Sequence, residues 1–267
     1  MKLVAENITI TAPAIQKALL GRDPAPLAAV AIQARRVGVE ALDVNLGPGG
    51  KGAQKTLDFV LDVLREAWGG EIWLDGSNPA LMAHGLGRWR GRAVLNGYSG
   101  DPAREGVLRL AAEHGTGLVV FLMDERGRIP RTTEERLVLA AELAGRASMR
   151  GVPLERLIFD PVLAPLGWLD GSTLNAHLAG VVRELPRLFG GEVQSVVGLS
   201  NLLTSSAGRL GVGWLKAACL AFLAGAGMSH VMCDIFDEEV CRFARAARVF
   251  EGSLVFAPGE LVREGLP

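Results

Sequence analysis

Carboxylates and carboxamides close almost every short apolar run in this chain. Glu6 and Asn7 end the first run, Asp43 and Asn45 the second, Asp75 the third and Asn96 the fourth. Met123 with Asp124, Asp160, Ser200 with Asn201, and Asp234 close the rest. Side chains of these types accept hydrogen bonds, and the amides also donate, but none carries a positive charge. A phosphorylated sugar would need Lys, Arg or a glycine-rich nest near the last strands. A neutral heterocycle with several N–H donors, such as a pterin or purine edge, suits paired aspartates, because each carboxylate accepts two hydrogen bonds. A single Asp or Asn at a strand end often does no more than begin a turn or cap the next helix. Eight ends together ask for a further cause, since Ser, Thr or Gly would cap equally well.

Other chemistries find weaker support. Gly-Pro-Gly-Gly-Lys-Gly (Gly47 to Gly52) lacks the Gly-Lys-Ser/Thr ending of a phosphate loop. His84, His114, His177 and His230 fall on expected helices or within a strand and form no H-E-x-x-H pair, so no metal is expected. Ser200 follows Gly-Leu rather than standing in a G-x-S-x-G elbow. Cys219, Cys233 and Cys241 show no C-x-x-C spacing, which fits a reducing compartment.

The elements that must position the polar residues alternate along the whole chain. Strands are expected at Leu3–Ile8, Glu40–Asn45, Glu71–Asp75, Ala93–Asn96, Gly117–Met123, Arg156–Asp160, Ser195–Ser200 and Ser229–Asp234. Helical patterns lie between them. One spans Pro24 to Gly38, entered through Asp23-Pro24 and closed at glycine. Another runs from Thr132 to Arg150 and a third from Asp237 to Phe250, both opening on acidic residues where the helix dipole favours them. Eight strand–helix units imply a parallel sheet, and the repeat predicts one α/β domain over residues 1–267: a single (β/α)8 TIM barrel. A doubly wound open sheet would bring a glycine-rich turn after its first strand, whereas Thr9 to Pro13 holds no glycine. Barrel closure would gather all eight strand ends at one mouth.

Composition narrows the partners. With 267 residues, 49% of them hydrophobic, the chain can bury a large core and is not disordered. A net charge of -1 excludes a sequence-independent nucleic-acid binder, which needs a basic footprint. Leu215 to Gly227 is too short and too interrupted by Lys216 to cross a membrane, and Glu6 breaks the apolar core a signal peptide would need. The expected location is the cytoplasm.

Five strand-end motifs, read jointly, are specific: ALDVNLGP (Ala41 to Pro48), LDGSN (Leu74 to Asn78), LNGYSG (Leu95 to Gly100), IFDPVLAPLG (Ile158 to Gly167) and GLSNLL (Gly198 to Leu203). In this set and order the chain resembles the pterin-binding methyltransferase family. That family includes methyltetrahydrofolate:corrinoid/iron–sulfur protein methyltransferase, the folate domain of cobalamin-dependent methionine synthase and, more distantly, dihydropteroate synthase. The resemblance implies a dihydropteroate-synthase-like barrel that binds tetrahydrofolate or 5-methyltetrahydrofolate at its mouth, with a corrinoid (cobalamin) delivered by a partner protein. It also implies a homodimer. Asp75, Asn96 and Asp160 would hydrogen-bond the pterin, and Asn201 would lie near the methyl-bearing N5. Arg209 would meet the folate tail, Gly198 and Ser200 would shape the floor, and Glu6, Asp43 and Asn45 occupy matching positions. The implied reaction moves a methyl group between N5 and cobalt, in either direction. Because N5 must be protonated when the methyl leaves, Asn201 is expected to stabilise that state with water and Asp75 and Asp160. The alternatives are a dihydropteroate synthase-like enzyme and a non-catalytic pterin-binding or corrinoid-protein-docking module.

Overall fold

Eight of the short apolar runs become strands, all parallel, hydrogen-bonded in sequence order, with the last closing on the first. The computed structural model describes residues 1–204 and 212–250. Its elements are, in order, β1 (Lys2–Thr9), α1 (Pro13–Gly21), α2 (Ala25–Val37), β2 (Ala41–Asn45), α3 (Ala53–Ala67), β3 (Glu71–Asp75), α4 (Pro79–Arg88), β4 (Ala93–Tyr98) and α5 (Glu105–His114). There follow β5 (Gly117–Phe121), α6 (Thr133–Met149), β6 (Leu157–Asp160), α7 (Gly171–Ala176), α8 (Leu178–Phe189), β7 (Gln194–Gly198), α9 (Val212–Ala224), β8 (His230–Cys233) and α10 (Glu238–Phe250). This is the (β/α)8 barrel expected from the alternation, wrapped by its helices. No helix among the described residues is long and apolar enough to cross a membrane.

The barrel is filled, not hollow. Each strand sends one residue into a central plug: Val4, Ala41, Trp73, Val94, Val119, Ile158, Val196 and Met232. All are buried, and the large indole of Trp73 shares the plug with small Ala41 from the neighbouring strand. A second, larger core lies between strands and helices, where α3 lays down Leu57, Val60, Leu61 and Leu64 at helical spacing. These two cores make the strand ends rigid mounts for whatever they carry.

Helix ends obey the chemistry written in their sequences. Asp23 Oδ1 accepts from the Ala25 N–H at 3.0 Å, and Gly38 closes α2 with φ +76°, a conformation a side chain would resist. Thr132 and Glu135 form a reciprocal capping box on α6, the helix that reaches behind β6. Thr132→Ala is expected to cost about 1 kcal/mol and to lower the melting temperature by roughly 2–4 °C, as calorimetry would read. An unchanged melting point would mean the box adds nothing.

Candidate active site

Strand period 2 turns the plug into a prediction of its own lid, because a residue two places further along faces the same way. Adding two to each plug position gives Glu6, Asp43, Asp75, Asn96, Phe121, Asp160, Gly198 and Asp234, toward the C-terminal ends of β1 to β8 or just beyond. Six of these eight are carboxylates or a carboxamide. Closure therefore brings to one rim groups up to 228 residues apart, as between Asn7 and Ile235, whose N–H donates to Asn7 Oδ1.

Register then decides who meets whom. Asn45, Asp75 and Asn96 are direct neighbours across β2, β3 and β4. Asn45 Nδ2 donates to Asp75 Oδ2 at 2.5 Å, and Asn45 Oδ1 accepts from the Gly47 N–H at 2.9 Å. Both faces of that amide are thus committed to holding Asp75 in place. One layer deeper, Asn96 Nδ2 donates to Asp43 Oδ1 at 3.0 Å and touches Met232 Sδ at 3.7 Å. Asn96 Oδ1 is buried and has no partner among the described residues.

Burial sets the charge state of these acids. It raises the Asp75 carboxyl to about 6, with the Asn45 amide and the Arg104 charge acting against it. Asp43, enclosed by burial and facing the Asp75 charge, is pushed well above the usual carboxylate range, with the Asn96 amide acting against that. Asp160 is raised to about 7 by burial, opposed by the Val162 N–H and by Arg136. Glu6 is raised by burial as well, although Ser200 Oγ donates to its carboxylate at 3.0 Å. Acids raised by desolvation in this way are a mark of functional sites.

The end of β7 passes into a short helical turn over Leu199–Leu203, which carries the half-buried Asn201. A Cβ on Gly198 would lie 3.4 Å from the Asn201 Nδ2, an ordinary van der Waals contact, so the amide lies directly over the strand end. No group among the described residues hydrogen-bonds the Asn201 side-chain amide. Ser200 stands exposed on the rim, tied to Glu6. Arg209 lies outside the described residues.

At β5 the structure differs from the sequence expectation. The strand ends at Phe121, not Met123, and Asp124 turns away to accept from the Arg126 and Arg128 N–H groups and to pair with the Arg128 side chain at 2.7 Å. The inward position belongs to Phe121, whose ring presses on Gly97 so closely that a Cβ there would come within 2.7 Å of it. Two arginines also escape sequence reading. Arg104 donates to Gly76 O and Gly97 O, both at 3.0 Å, tying the ends of β3 and β4 together. Arg136 is fully buried behind β6. In the sequence both look like ordinary surface charges; only Ala140 and Leu143, buried further along α6 at helical spacing, hint that Arg136 lies on an inward face.

The family described as pterin binding enzyme matches residues 12–234. The chain belongs to the pterin-binding enzymes. A methylcorrinoid:tetrahydrofolate methyltransferase of Eubacterium limosum is 24% identical over 207 residues, covering 76% of this chain and 74% of that protein. Among solved structures, dihydropteroate synthase from Thermus thermophilus superposes with a TM-score of 0.63 at 22% identity, covering 95% and 94% of the two chains. Dihydropteroate synthase from Yersinia pestis, solved with a pterine-sulfa conjugate, gives 0.65 at 14%, covering 94% of each. These structures share the fold of this pterin-binding enzyme.

Two concavities flank the plug of the enzyme. At the mouth, Val44, Leu46, Gly47, Asp75, Gly76 and Asn78 line a small hollow of about 20 Å³ beside Asp75. The larger one, about 610 Å³, opens at the opposite end of the barrel. There Lys2 pairs with Glu40 at 3.2 Å and Arg92 with Glu71 at 3.4 Å. His230 lines that end too, tilted against Trp73 and held neutral by burial, its pKa lowered to about 4. Among the described residues, the carboxyls that burial raises lie at the mouth, not at this end.

Proposed function

We propose that this pterin-binding enzyme moves a methyl group between N5 of tetrahydrofolate and the cobalt of a corrinoid carried by a partner protein. One observation carries the reading: Asn96 Oδ1 is buried at the mouth without a donor among the described residues, beside the carboxyls of Asp43 and Asp75, which burial raises. A buried acceptor left unpaired costs about 1–3 kcal/mol, which a ligand N–H would recover. The amino-pyrimidine edge of a pterin supplies such N–H groups in a plane. Asp75, Asn96 and Asp160 take that edge, Asp43 and Asn45 brace them, and Gly198, Ser200 and Glu6 border the ring. Arg209 is assigned to the folate tail. The reaction class comes from the five strand-end motifs and from the name of the E. limosum relative, which favours transfer from methylcorrinoid to tetrahydrofolate.

In that direction the N5 lone pair attacks the methyl carbon as the carbon–cobalt bond breaks. Cobalt keeps the bonding pair and passes from Co(III) to Co(I), while N5 becomes a protonated tertiary amine and then sheds its proton. The Asn201 amide oxygen accepts from that N–H, and the raised carboxyls of Asp75 and Asp160 connect it to water. The barrel contributes orientation, fixing N5 where the corrinoid face must arrive.

An anaerobic assay with methylcob(III)alamin and tetrahydrofolate tests this. Cob(I)alamin and 5-methyltetrahydrofolate should appear in equal amounts, and the reverse pair should react as well. Folate uptake without methyl exchange would make the protein a binding module. Condensation of a pterin diphosphate with p-aminobenzoate would make it a synthase.

The homodimer implied by the resemblance has a surface that suits it. The outward face of α9 presents Trp214, Ala218, Ala221 and Phe222 without a charge, and Trp214 is 64% exposed. An apolar exposed helix face is ordinarily covered, and a second copy meeting it about a twofold axis would cover both at once. Trp214→Glu is expected to convert a dimer to monomers in sedimentation equilibrium. A wild-type protein that sediments as a monomer at tens of micromolar would remove the dimer.

A further inference from the structure

The turn that carries Asp160 off the end of β6 is gripped from behind by a distant side chain. Arg136 donates from Nε to Pro130 O at 2.9 Å and from its two Nη atoms to Pro161 O at 3.1 Å and Leu174 O at 2.8 Å. No carboxylate lies within ion-pairing distance of it among the described residues, although it is wholly buried. The contact with Pro161 is the informative one. The peptide between Pro161 and Val162 accepts from Arg136 through its C=O and donates from its N–H to Asp160 Oδ1 at 2.7 Å. One peptide plane therefore links guanidinium to carboxylate, and each hydrogen bond polarises the other.

That peptide is also held in an unfavourable shape. Val162 has φ +63°, a left-handed conformation that a β-branched residue resists. Strain of this type persists only where neighbours over-determine the backbone. The Arg136 bond on one side of the peptide and the Asp160 bond on the other are such constraints. From β5, Asp160 faces Phe121 and Leu122, and β7 brings no titratable residue. Arg136 is the charged group that acts on it among the described residues.

We infer that Arg136 is a positioning residue for Asp160: through the Pro161–Val162 peptide it aims the carboxylate at the mouth and supplies the positive charge that lets it ionise while buried. Its consequence for folate rests on the reading of Asp160 given above, since an ionised Asp160 accepts from a pterin N–H and a protonated one competes with it. The guanidinium itself stays charged, its pKa reduced by burial only to about 10.

The test is a carboxyl ¹³C NMR titration of aspartate-labelled protein, with Asp160 assigned by the signal that Asp160→Asn removes. Arg136→Met, which removes the charge, should raise the Asp160 midpoint by about one pH unit or more. Arg136→Lys, which keeps the charge and gives up part of the hydrogen bonding, should stay within about half a unit of wild type. An unmoved midpoint in Arg136→Met, or an equal shift in both variants, overturns the inference. Should Arg136→Met not fold, the wild-type Arg136 Nε–H resonance decides: it should move through the Asp160 midpoint and lie flat in Asp160→Asn, and a flat wild-type trace overturns the proposal. Neither measurement uses folate or corrinoid, so a wild type that takes up no tetrahydrofolate would sink the proposed function and leave this one standing.

Discussion

Asp160→Asn is expected to weaken tetrahydrofolate binding by about 10²–10³-fold and, at the same time, to stabilise the empty protein. The loss follows from chemistry. Two charge-assisted hydrogen bonds disappear, and the new NH2 faces ligand N–H groups, together about 3–4 kcal/mol. The gain follows from linkage. The carboxyl rises from its ordinary 3.8 to about 7 in the folded protein, chiefly through burial. A group whose folded pKa is raised favours the fold below its unfolded pKa and loses that contribution as pH climbs to the folded value. Between pH 3.8 and about 7 the wild type therefore accumulates a penalty of up to ~4 kcal/mol that asparagine does not carry. Asparagine also keeps an oxygen for the Val162 N–H. Calorimetric melting at about pH 8 should place the variant above wild type, the gap closing near pH 4, while isothermal titration reports the lost affinity. A variant that binds folate as wild type does would remove Asp160 from the site.

Asn201→Ala is expected to slow methyl transfer about 10²-fold while leaving the folate dissociation constant within a few-fold of wild type. The side-chain amide has no hydrogen-bond partner among the described residues, so its removal orphans nothing there and stability should hold. Its assigned bond, to the N5–H, strengthens as N5 gains positive charge during methyl transfer, and an interaction stronger in the transition state than in the bound substrate appears in kcat more than in binding. Single-turnover traces with methylcob(III)alamin would show the difference. Equal rates in the variant and wild type would end the assignment.

Much of this site is legible one strand at a time. Asp43, Asp75, Asn96 and Asp160 each interrupt an apolar run at or within two residues of the end of a parallel strand, and local pattern is enough to see that. Pattern misleads where it continues past the strand. Leu122 and Met123 extend the apolar run of β5, so Asp124 reads as its end, yet the backbone leaves the sheet at Phe121 and Asp124 caps a turn with Arg128. Arg104 and Arg136 stay hidden for another reason. Their partners are main-chain carbonyls of Gly76, Gly97, Pro161 and Leu174, and every residue has such a carbonyl, so no side-chain type advertises the contact.

The eightfold alternation, the apolar strand bodies and the acceptors that close them are local properties of the chain, because they depend on periods of about two and 3.6 residues within short windows. Tertiary structure alone decided that Asn45 braces Asp75, that Asn96 leans on Asp43 and leaves its oxygen unmet, and that Asp160 answers to Arg136. Those pairings, and the displaced acidities that come with them, depend on strand register, barrel closure and the exclusion of water, which are properties of distances between residues far apart in the chain.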